Sequence, residues 1–200
     1  MSITYPLTLP ASPGIATARF GLEVPVAVHE SPLSGVEQVL ERPGARWVGE
    51  ITLPPMPRAQ AASWTAFLAA LRGSYGTFMF GDPDAAAPRG SIAGAVTADG
   101  AAGARAVTLT GATGTLLAGD YIQIGSGLSA RLHMVMQDWD AAVGGTVAIE
   151  PPLRLAASAA LLVWQNPAGP FRLAASEVSW NTDVLSLYGI TLAIREALNP

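Results

Sequence analysis

The sequence predicts a mainly β protein, in which one α-helix packs on a β-sheet and a small β-barrel or sandwich is inserted. Three observations lead to this prediction. One segment alone has the apolar spacing of an amphipathic helix, and most other segments alternate apolar with polar residues or are short apolar runs. Two stretches rich in glycine, proline and alanine enclose residues 89–168.

The helix is predicted at about 58–72, directly after Pro57, which a first helical turn tolerates. Gly73 is placed where a left-handed cap would end it. A short apolar strand follows at 77–80. The apolar positions recur at i, i+3, i+4 and i+7, which puts them on one face that we interpret as core packing; they are Trp64, Phe67, Leu68 and Leu71.

Before the helix, three extended segments are predicted. Residues 3–9 contain prolines that suit an edge or an arm better than a central strand. Residues 18–28 alternate with period two, which predicts one buried face and leaves His29 solvated. Segments 36–41 and 45–53 flank Arg42-Pro43-Gly44, so we expect a hairpin that turns at these three residues.

The stretches 84–90 and 166–170 are candidate boundaries, and five short strands with glycine turns lie between them. These strands are predicted at 104–110, 120–124, 130–137, 146–150 and 160–165. In the third of them Leu132, Met134 and Met136 alternate with more polar residues, which predicts one buried face. The chain therefore divides into a first domain, 1–88 plus 169–200, and an inserted domain, 89–168.

After the insert, strands are predicted at 171–173, 177–180 and 185–194. In the last of these the apolar residues change from odd to even positions, after Leu187 and before Ile190. A regular strand cannot bury both sets on one face, because a shift of one residue reverses the side chains. One extra residue would restore the register, so we predict a β-bulge at Gly189.

Composition limits the classes of function. The formal net charge of −4 and the lack of a basic cluster disfavour nucleic-acid binding as the main task. No apolar run approaches the ~18 residues of a membrane span, and no signal peptide is recognisable, so we expect folding in the cytoplasm without membrane insertion. Charged residues make up only 13% and hydrophobic residues 50%, which suggests a surface partly covered by neighbouring subunits. All basic residues are arginine, which we interpret as the codon bias of a GC-rich genome, with use at interfaces as the alternative.

No nucleophile elbow, phosphate loop or zinc pattern is present, so we predict no enzyme activity, cofactor or metal site. The close carboxylate pairs at 138/140 and 82/84 have too few donors nearby for calcium, and the stretch 138–145 is interpreted as a hairpin loop between two strands. Asp120 with Glu150 could form a glycosidase pair, although nothing selects it. Trp139 and Trp164 are interpreted as core or interface residues, with sugar-stacking platforms as the alternative.

Four runs resemble a family of structural proteins of long-tailed bacteriophages, the distal-tail or minor-tail proteins: 71–83 (LRGSYGTFMFGDP), 118–125 (AGDYIQIG), 131–138 (RLHMVMQD) and 149–154 (IEPPLR). The resemblance extends over about 47–173. It implies a tail-tube-like β-sandwich with one packed α-helix, carrying an inserted OB- or galectin-like barrel. It carries no active-site motif, so no catalytic residue is transferred from it.

The resemblance implies a structural ring subunit in the virion tail tip that joins the tail tube to the hub or baseplate and lines the DNA channel. The implied partners are further copies of the chain, which we expect as a hexamer, and the tail-tube, hub and tape-measure proteins. Glu41, Arg42 and Arg46 are our candidate subunit-interface residues. The alternatives are a carbohydrate-binding module that uses the inserted barrel, and a glycan hydrolase.

Overall fold

The computed structural model describes residues 3–177, 179–182 and 187–199. Up to the predicted insert, it contains β1 (Thr17–Glu23), β2 (Val26–Glu30), β3 (Glu37–Glu41), β4 (Arg46–Thr52), β5 (Met56–Pro57), α1 (Arg58–Leu71) and β6 (Phe78–Phe80). The insert contains β7 (Thr97–Gly100), β8 (Ala106–Thr110), β9 (Thr115–Leu116), β10 (Tyr121–Ile124), β11 (Arg131–Val135), β12 (Trp139–Asp140), β13 (Thr146–Glu150) and β14 (Ala157–Val163). The remainder contains β15 (Gly169–Leu173), β16 (Asn181–Thr182), β17 (Leu187–Gly189) and β18 (Thr191–Glu196). Short 3₁₀ helices occupy Pro83–Ala85 and Gly127–Ser129.

The main sheet has five antiparallel strands in the order β1-β4-β18-β15-β6. Leu7 adds a single parallel bridge beside Phe78, with hydrogen bonds from the Leu7 N–H to Thr77 and from the Met79 N–H to Leu7. The segment 3–9 therefore lies along the edge of the sheet. Its prolines predict this position, because a proline has no N–H to donate to a continuous ladder of hydrogen bonds.

The helix α1 covers one face of the main sheet, and its apolar stripe is buried: Trp64, Phe67, Leu68 and Leu71 belong to the same core cluster as Trp47, Phe78 and Ile194. This confirms the interpretation of the stripe as core. The left-handed cap begins one residue earlier than predicted, at Arg72 (φ 53°), and continues through Gly73 (φ 69°). A Cβ at Gly73 would lie 2.5 Å from the carbonyl oxygen of Ser176, so this turn requires glycine.

The insert contains a closed barrel in the strand order β10-β11-β13-β8-β7-β14. All five strands predicted there are present, and β7 is a sixth barrel strand that the sequence pattern did not predict. The barrel interior has its own core, which includes Val107, Ile122, Val147 and Ile149. The predicted fold class, mainly β with one packed α-helix and a small barrel, is therefore confirmed for the described residues.

The barrel packs against the main sheet through β10 and β11. Tyr121 and Leu132 belong to the core cluster of the sheet, whereas Val135 belongs to that of the barrel. The prediction that β11 has one buried face is therefore wrong: both faces of the strand are buried because it lies between two cores. Met136, expected on the buried face, follows the strand and is exposed.

The end of the chain also differs from the prediction. The change of register near Gly189 is not accommodated by a bulge within one strand, because β17 and β18 belong to different sheets. β17 pairs with β16 and β5, whereas β18 pairs with β15 and β4. Residues 185 and 186 of the predicted strand lie outside the described residues. No strand is assigned at 177, 179 or 180, the described part of predicted strand 177–180.

The predicted hairpin at Arg42-Pro43-Gly44 is wrong. β3 pairs with β2, not with β4, and the register runs from Val26 opposite Glu41 to Glu30 opposite Glu37. β4 pairs with β1, so the two pairs follow one another as a long antiparallel ribbon. Residues 42–45 are an interruption within this ribbon, and the turn lies at 31–36. We refer to residues 26–41, β2 and β3 with their turn, as the arm.

Candidate functional site

The arm exposes an unusual number of apolar side chains. Side chains directly opposite each other in an antiparallel pair share a face, so Val26, Val28 and Val39 lie together. Val39 is 63% exposed, and Leu33 in the turn is 97% exposed. No residue of the arm belongs to either core cluster. A two-stranded ribbon with such a surface is marginally stable without a partner.

The arm is also acidic. It contains Glu30, Glu37 and Glu41 but no arginine or lysine. Glu30 lies directly opposite Glu37, and like charges in that position repel each other. Neither has an ion-pair partner among the described residues, whereas Glu41 pairs with Arg105 of the barrel. Glu30 and Glu37 therefore place negative charge beside the apolar face of the arm, and no described residue neutralises this charge.

The three predicted interface residues lie at the base of the arm and not at a hairpin tip. Glu41 shares Arg105 with Glu150, so it connects the arm to the barrel within one chain. Arg46 pairs with Glu23 across the ribbon at 2.7 Å. Arg42 has an exposed side chain, and its N–H donates to the Pro25 carbonyl oxygen at 2.8 Å. Two of the three candidate side chains therefore already have intramolecular partners.

Two adjoining cavities lie beside the base of the arm. The larger, of about 850 Å³, is lined by the arm base, the barrel and the end of the chain: Pro43, Gly44, Ala45, Leu128, Arg131, Leu153, Arg154, Leu155, Leu198 and Asn199 among others. The smaller, of about 250 Å³, shares Leu198 and Asn199 and is also lined by Arg46, Arg172, Arg195 and Glu196. Strand alternation places Arg46, Arg172 and Arg195 on the face of the main sheet opposite the core residues Phe171 and Ile194. We call the smaller cavity, which these three arginines line, the arginine groove.

The arginine groove carries positive charge in a chain that is negative overall. Three of the eleven arginines line it, and Glu196 is the one acidic residue among the described lining residues. Arg172 lies directly opposite Arg195 on neighbouring strands, which concentrates charge of one sign. Although Glu23 neutralises Arg46, the groove retains an excess of positive charge.

Buried polar groups form the floor of the larger cavity. Glu196 is 2% exposed and accepts a hydrogen bond from the Trp47 N–H at 3.1 Å, with Arg154 at 3.5 Å. Burial raises the pKa of Glu196, and Arg154, the Trp47 N–H and Arg131 oppose this. Burial also lowers the pKa of Arg131. The floor is therefore a structural network that holds Arg131 and Arg154 in place.

His133 lies beside this network. Its Nδ1 lies 2.7 Å from the carbonyl oxygen of Pro151; since a carbonyl only accepts, Nδ1 carries the proton and donates. The pKa of His133 is lowered to about 4: burial is the largest cause, the Pro151 hydrogen bond opposes it, and the charges of Arg154 and Arg131 add to it. The imidazole is thus neutral at pH 7. His29, in contrast, is exposed on the arm, as predicted.

Both carboxylates of the candidate glycosidase pair, Asp120 and Glu150, bind partners within the chain. Asp120 is buried and accepts hydrogen bonds from the N–H groups of Arg89, Gly90 and Leu117. It therefore fixes the start of the insert against the turn before β10. Glu150 pairs with Arg105.

The close carboxylate pairs are turns. Asp82 accepts from the Asp84 N–H, and Asp140 accepts from the Ala142 N–H. The stretch 138–145 connects the paired strands β11 and β13, as the interpretation of a loop between two strands expects, and Asp82 caps the 3₁₀ helix Pro83–Ala85. The described residues contain no group of three or more side chains that could hold a metal ion.

The two candidate sugar-stacking tryptophans do not form a platform. Trp139 is 8% exposed and belongs to the barrel core, so its ring has no free face. Trp164 is partly buried and packs against the same core. Trp139 therefore lies in the barrel core, as the core interpretation expects.

The comparisons with known proteins add no family assignment: neither a protein-family model nor a curated protein matches the sequence. In the described parts of the chain, no helix is both long and apolar enough to span a bilayer. The sequence alone does not indicate the arginine groove, because its arginines are spread from residue 46 to residue 195. Only their polar positions within apolar strands, such as Arg172 between Phe171 and Leu173, could have drawn attention.

Proposed function

We propose that the chain is a structural subunit of a closed ring in the tail tip of a phage or phage-like tail. The ring would join the tail tube to the hub or baseplate and surround the channel through which DNA passes. The observation that carries the proposal is the arm, a two-stranded ribbon whose apolar side chains are largely exposed among the described residues, with Val39 at 63% and Leu33 at 97%. Such a surface suits a protein that works as part of an assembly.

Two further observations support an assembly role. The two carboxylates considered as a glycosidase pair have partners within the chain, since Asp120 accepts hydrogen bonds from three N–H groups and Glu150 pairs with Arg105. The arm and the arginine groove are different surfaces of opposite charge, which favours a head-to-tail arrangement of copies. Together with the family resemblance of the sequence, these observations favour a scaffold over an enzyme or a carbohydrate-binding module.

Electron microscopy and mass photometry of the purified protein test the proposal. At micromolar concentration, with or without the tail-tube protein of the same particle, we expect closed rings, and six subunits would match a tail tube of sixfold symmetry. A protein that stays monomeric under both conditions would refute the ring. Binding to a glycan array by such a monomer would instead favour the carbohydrate-binding alternative.

A further inference from the structure

We propose that the arginine groove contacts the phosphate backbone of the DNA that passes through the ring. The inference rests on the proposed function for the presence of DNA, and it assigns the contact to Arg46, Arg172 and Arg195 on one face of the main sheet. We call the residues of β1, β4, β15 and β18 on this face, which point away from the core, the open face. DNA binding and ring assembly are measured separately, so either can fail without the other.

The open face concentrates positive charge in an acidic chain. Alternation along the strands places on it the side chains that do not enter the core of the main sheet. Its charged residues are four arginines and two glutamates, which give +2 against −4 for the whole chain: Arg19, Arg46, Arg172, Arg195, Glu23 and Glu50. The open face therefore attracts an anionic partner.

Two of these arginines have no acidic partner. Arg172 lies directly opposite Arg195 on neighbouring strands, and neither forms an ion pair with a described residue. Like charges in this position repel each other. Nη2 of Arg172 donates to the Asn199 carbonyl oxygen at 2.9 Å, which positions the guanidinium without neutralising it. An oxyanion beside the two arginines relieves their repulsion, and the planar guanidinium matches the oxygens of a phosphate group.

The apolar residues of the open face are small or partly buried. Val48 lies opposite Arg195 and is half-buried, and the next outward residue of β18 is Ala193. The described residues of the open face include no large, exposed apolar side chain. Protein–protein interfaces are organised around buried aromatic or aliphatic anchors, whereas protein–DNA interfaces are more polar and much more positively charged. The open face therefore suits a phosphate backbone, and the apolar side chains of the arm require cover elsewhere.

The width of the sheet determines which part of DNA it contacts. The main sheet has five strands, which at about 4.8 Å apart span roughly 19 Å, whereas the major groove of B-DNA is about 12 Å wide. The open face therefore contacts phosphates without entering a groove of the duplex, and it reads no bases. Contacts of this kind are independent of sequence, depend on salt and allow a protein to slide along DNA. They suit a channel through which a long duplex passes.

Fluorescence anisotropy of a labelled double-stranded oligonucleotide, titrated with the full chain, tests the contact. If each chain binds two or three phosphates, the slope of log K against log salt should be about −2 to −3. The affinity should then fall roughly 10- to 50-fold between about 50 and about 200 mM salt. Two duplexes of unrelated sequence should bind equally well.

Arg195→Gln should weaken DNA binding at least about fivefold at low salt and make the slope shallower by about 0.9, because it removes one phosphate contact. Arg195 suits this test because it is half-buried and its side chain has no hydrogen bond or ion pair with a described residue. Arg58→Gln is the matched control: it makes the same change of charge on α1, on the other side of the main sheet, and should leave the slope unchanged. Thermal melting of each variant verifies that it is folded.

Glu23→Gln tests the contact in the opposite direction, because Glu23 neutralises Arg46 at 2.7 Å. Its loss frees Arg46 to bind a phosphate, so binding should strengthen at least about threefold at low salt and the slope should steepen by about 0.9. Glu37→Gln makes the same change of charge on the arm and is the control, which should leave the slope unchanged.

The outcomes separate the DNA contact from the ring. Rings that form while no DNA binding is detected at about 50 mM salt would overturn the contact and leave the ring intact. Equal effects of Arg195→Gln and Arg58→Gln on binding would also overturn it. If Arg195→Gln weakens self-association in mass photometry and leaves DNA binding unchanged, the groove is a subunit contact and the proposal is wrong. A monomeric chain that binds DNA through the groove would support the contact and refute the ring.

Discussion

The indole N–H of Trp47 donates a hydrogen bond to the carbonyl oxygen of Leu132 at 2.8 Å, and this bond joins the main sheet to the barrel. The same indole packs against Phe20 of β1 at a ring-centroid distance of 5.1 Å and against Tyr121 of β10 at 5.4 Å. The two parts of the chain therefore share one aromatic core at their junction, although the barrel has a separate core inside it.

Substituting Trp47→Phe should destabilise the whole chain by about 1–3 kcal/mol, because the buried Leu132 carbonyl oxygen loses its donor. The lost contact area of the larger ring adds to this effect. Urea denaturation followed by circular dichroism measures the difference. Trp180→Phe is the matched control, since Trp180 is exposed, and it should change the free energy of unfolding by less than about 0.5 kcal/mol. Equal effects of the two substitutions would contradict the role of the hydrogen bond.

Substituting Phe67→Ala should cost about 3–5 kcal/mol, the usual cost of deleting a buried aromatic side chain. Phe67 contacts Trp64 and Phe78, at centroid distances of 5.9 and 5.7 Å, so its loss leaves a cavity between α1 and the main sheet. Chemical denaturation is the measurement, with Ser63→Ala on the exposed side of the helix as the control. A cost below about 1 kcal/mol for Phe67→Ala would mean that the helix does not cover the sheet in solution.

Replacing residues 90–168 by a short linker should leave a remainder that melts cooperatively but at a lower temperature than the whole chain. The remainder keeps the main sheet and α1, but Trp47 loses the packing of Tyr121 and the hydrogen bond to Leu132. Circular dichroism and calorimetry of the remainder and of the isolated segment 90–168 provide the test. An unfolded remainder would show that the barrel is part of one folding unit and not an insert that folds autonomously.

His133 predicts a specific dependence of stability on pH. Its pKa is about 4 in the folded chain against an ordinary value of 6.5, so between these values the unfolded chain takes up a proton and the folded chain does not. The stability associated with neutral His133 is complete above pH 6.5 and is lost as the pH falls towards 4. His133→Asn keeps a donor for Pro151 but cannot titrate.

The wild type should therefore lose about 2–3 kcal/mol relative to His133→Asn between pH 7 and pH 4, as measured by urea denaturation at each pH. Glu196, Arg131 and Arg154, which surround His133, are present in both proteins, so their own titration largely cancels in the comparison. His29→Asn is the control, because His29 is exposed on the arm. A constant difference between wild type and His133→Asn across this range would contradict the buried neutral imidazole.

The sequence by itself determined the elements whose signal is local. The spacing of Trp64, Phe67, Leu68 and Leu71 specified α1, because a helix places those positions on one face whatever it packs against. Glycine turns and short apolar runs specified five barrel strands and the mainly β class. The sixth barrel strand, β7, with the sequence TADG, has no such signal, because its pairing with β8 and β14 holds a segment of low β propensity in the barrel.

Only the tertiary structure decided which strands pair and which faces are covered. Alternation along 18–28 predicted a buried face, yet the arm half of this segment is exposed, because period two reports the pleat and not the presence of a partner. β11 is buried on both faces because two cores meet at it, and β17 and β18 divide one apolar run between two sheets. The arginine groove is assembled in the same way, from Arg46, Arg172 and Arg195, which are distant in sequence and adjacent only because the antiparallel pairing of β4, β18 and β15 brings them to one face of the main sheet.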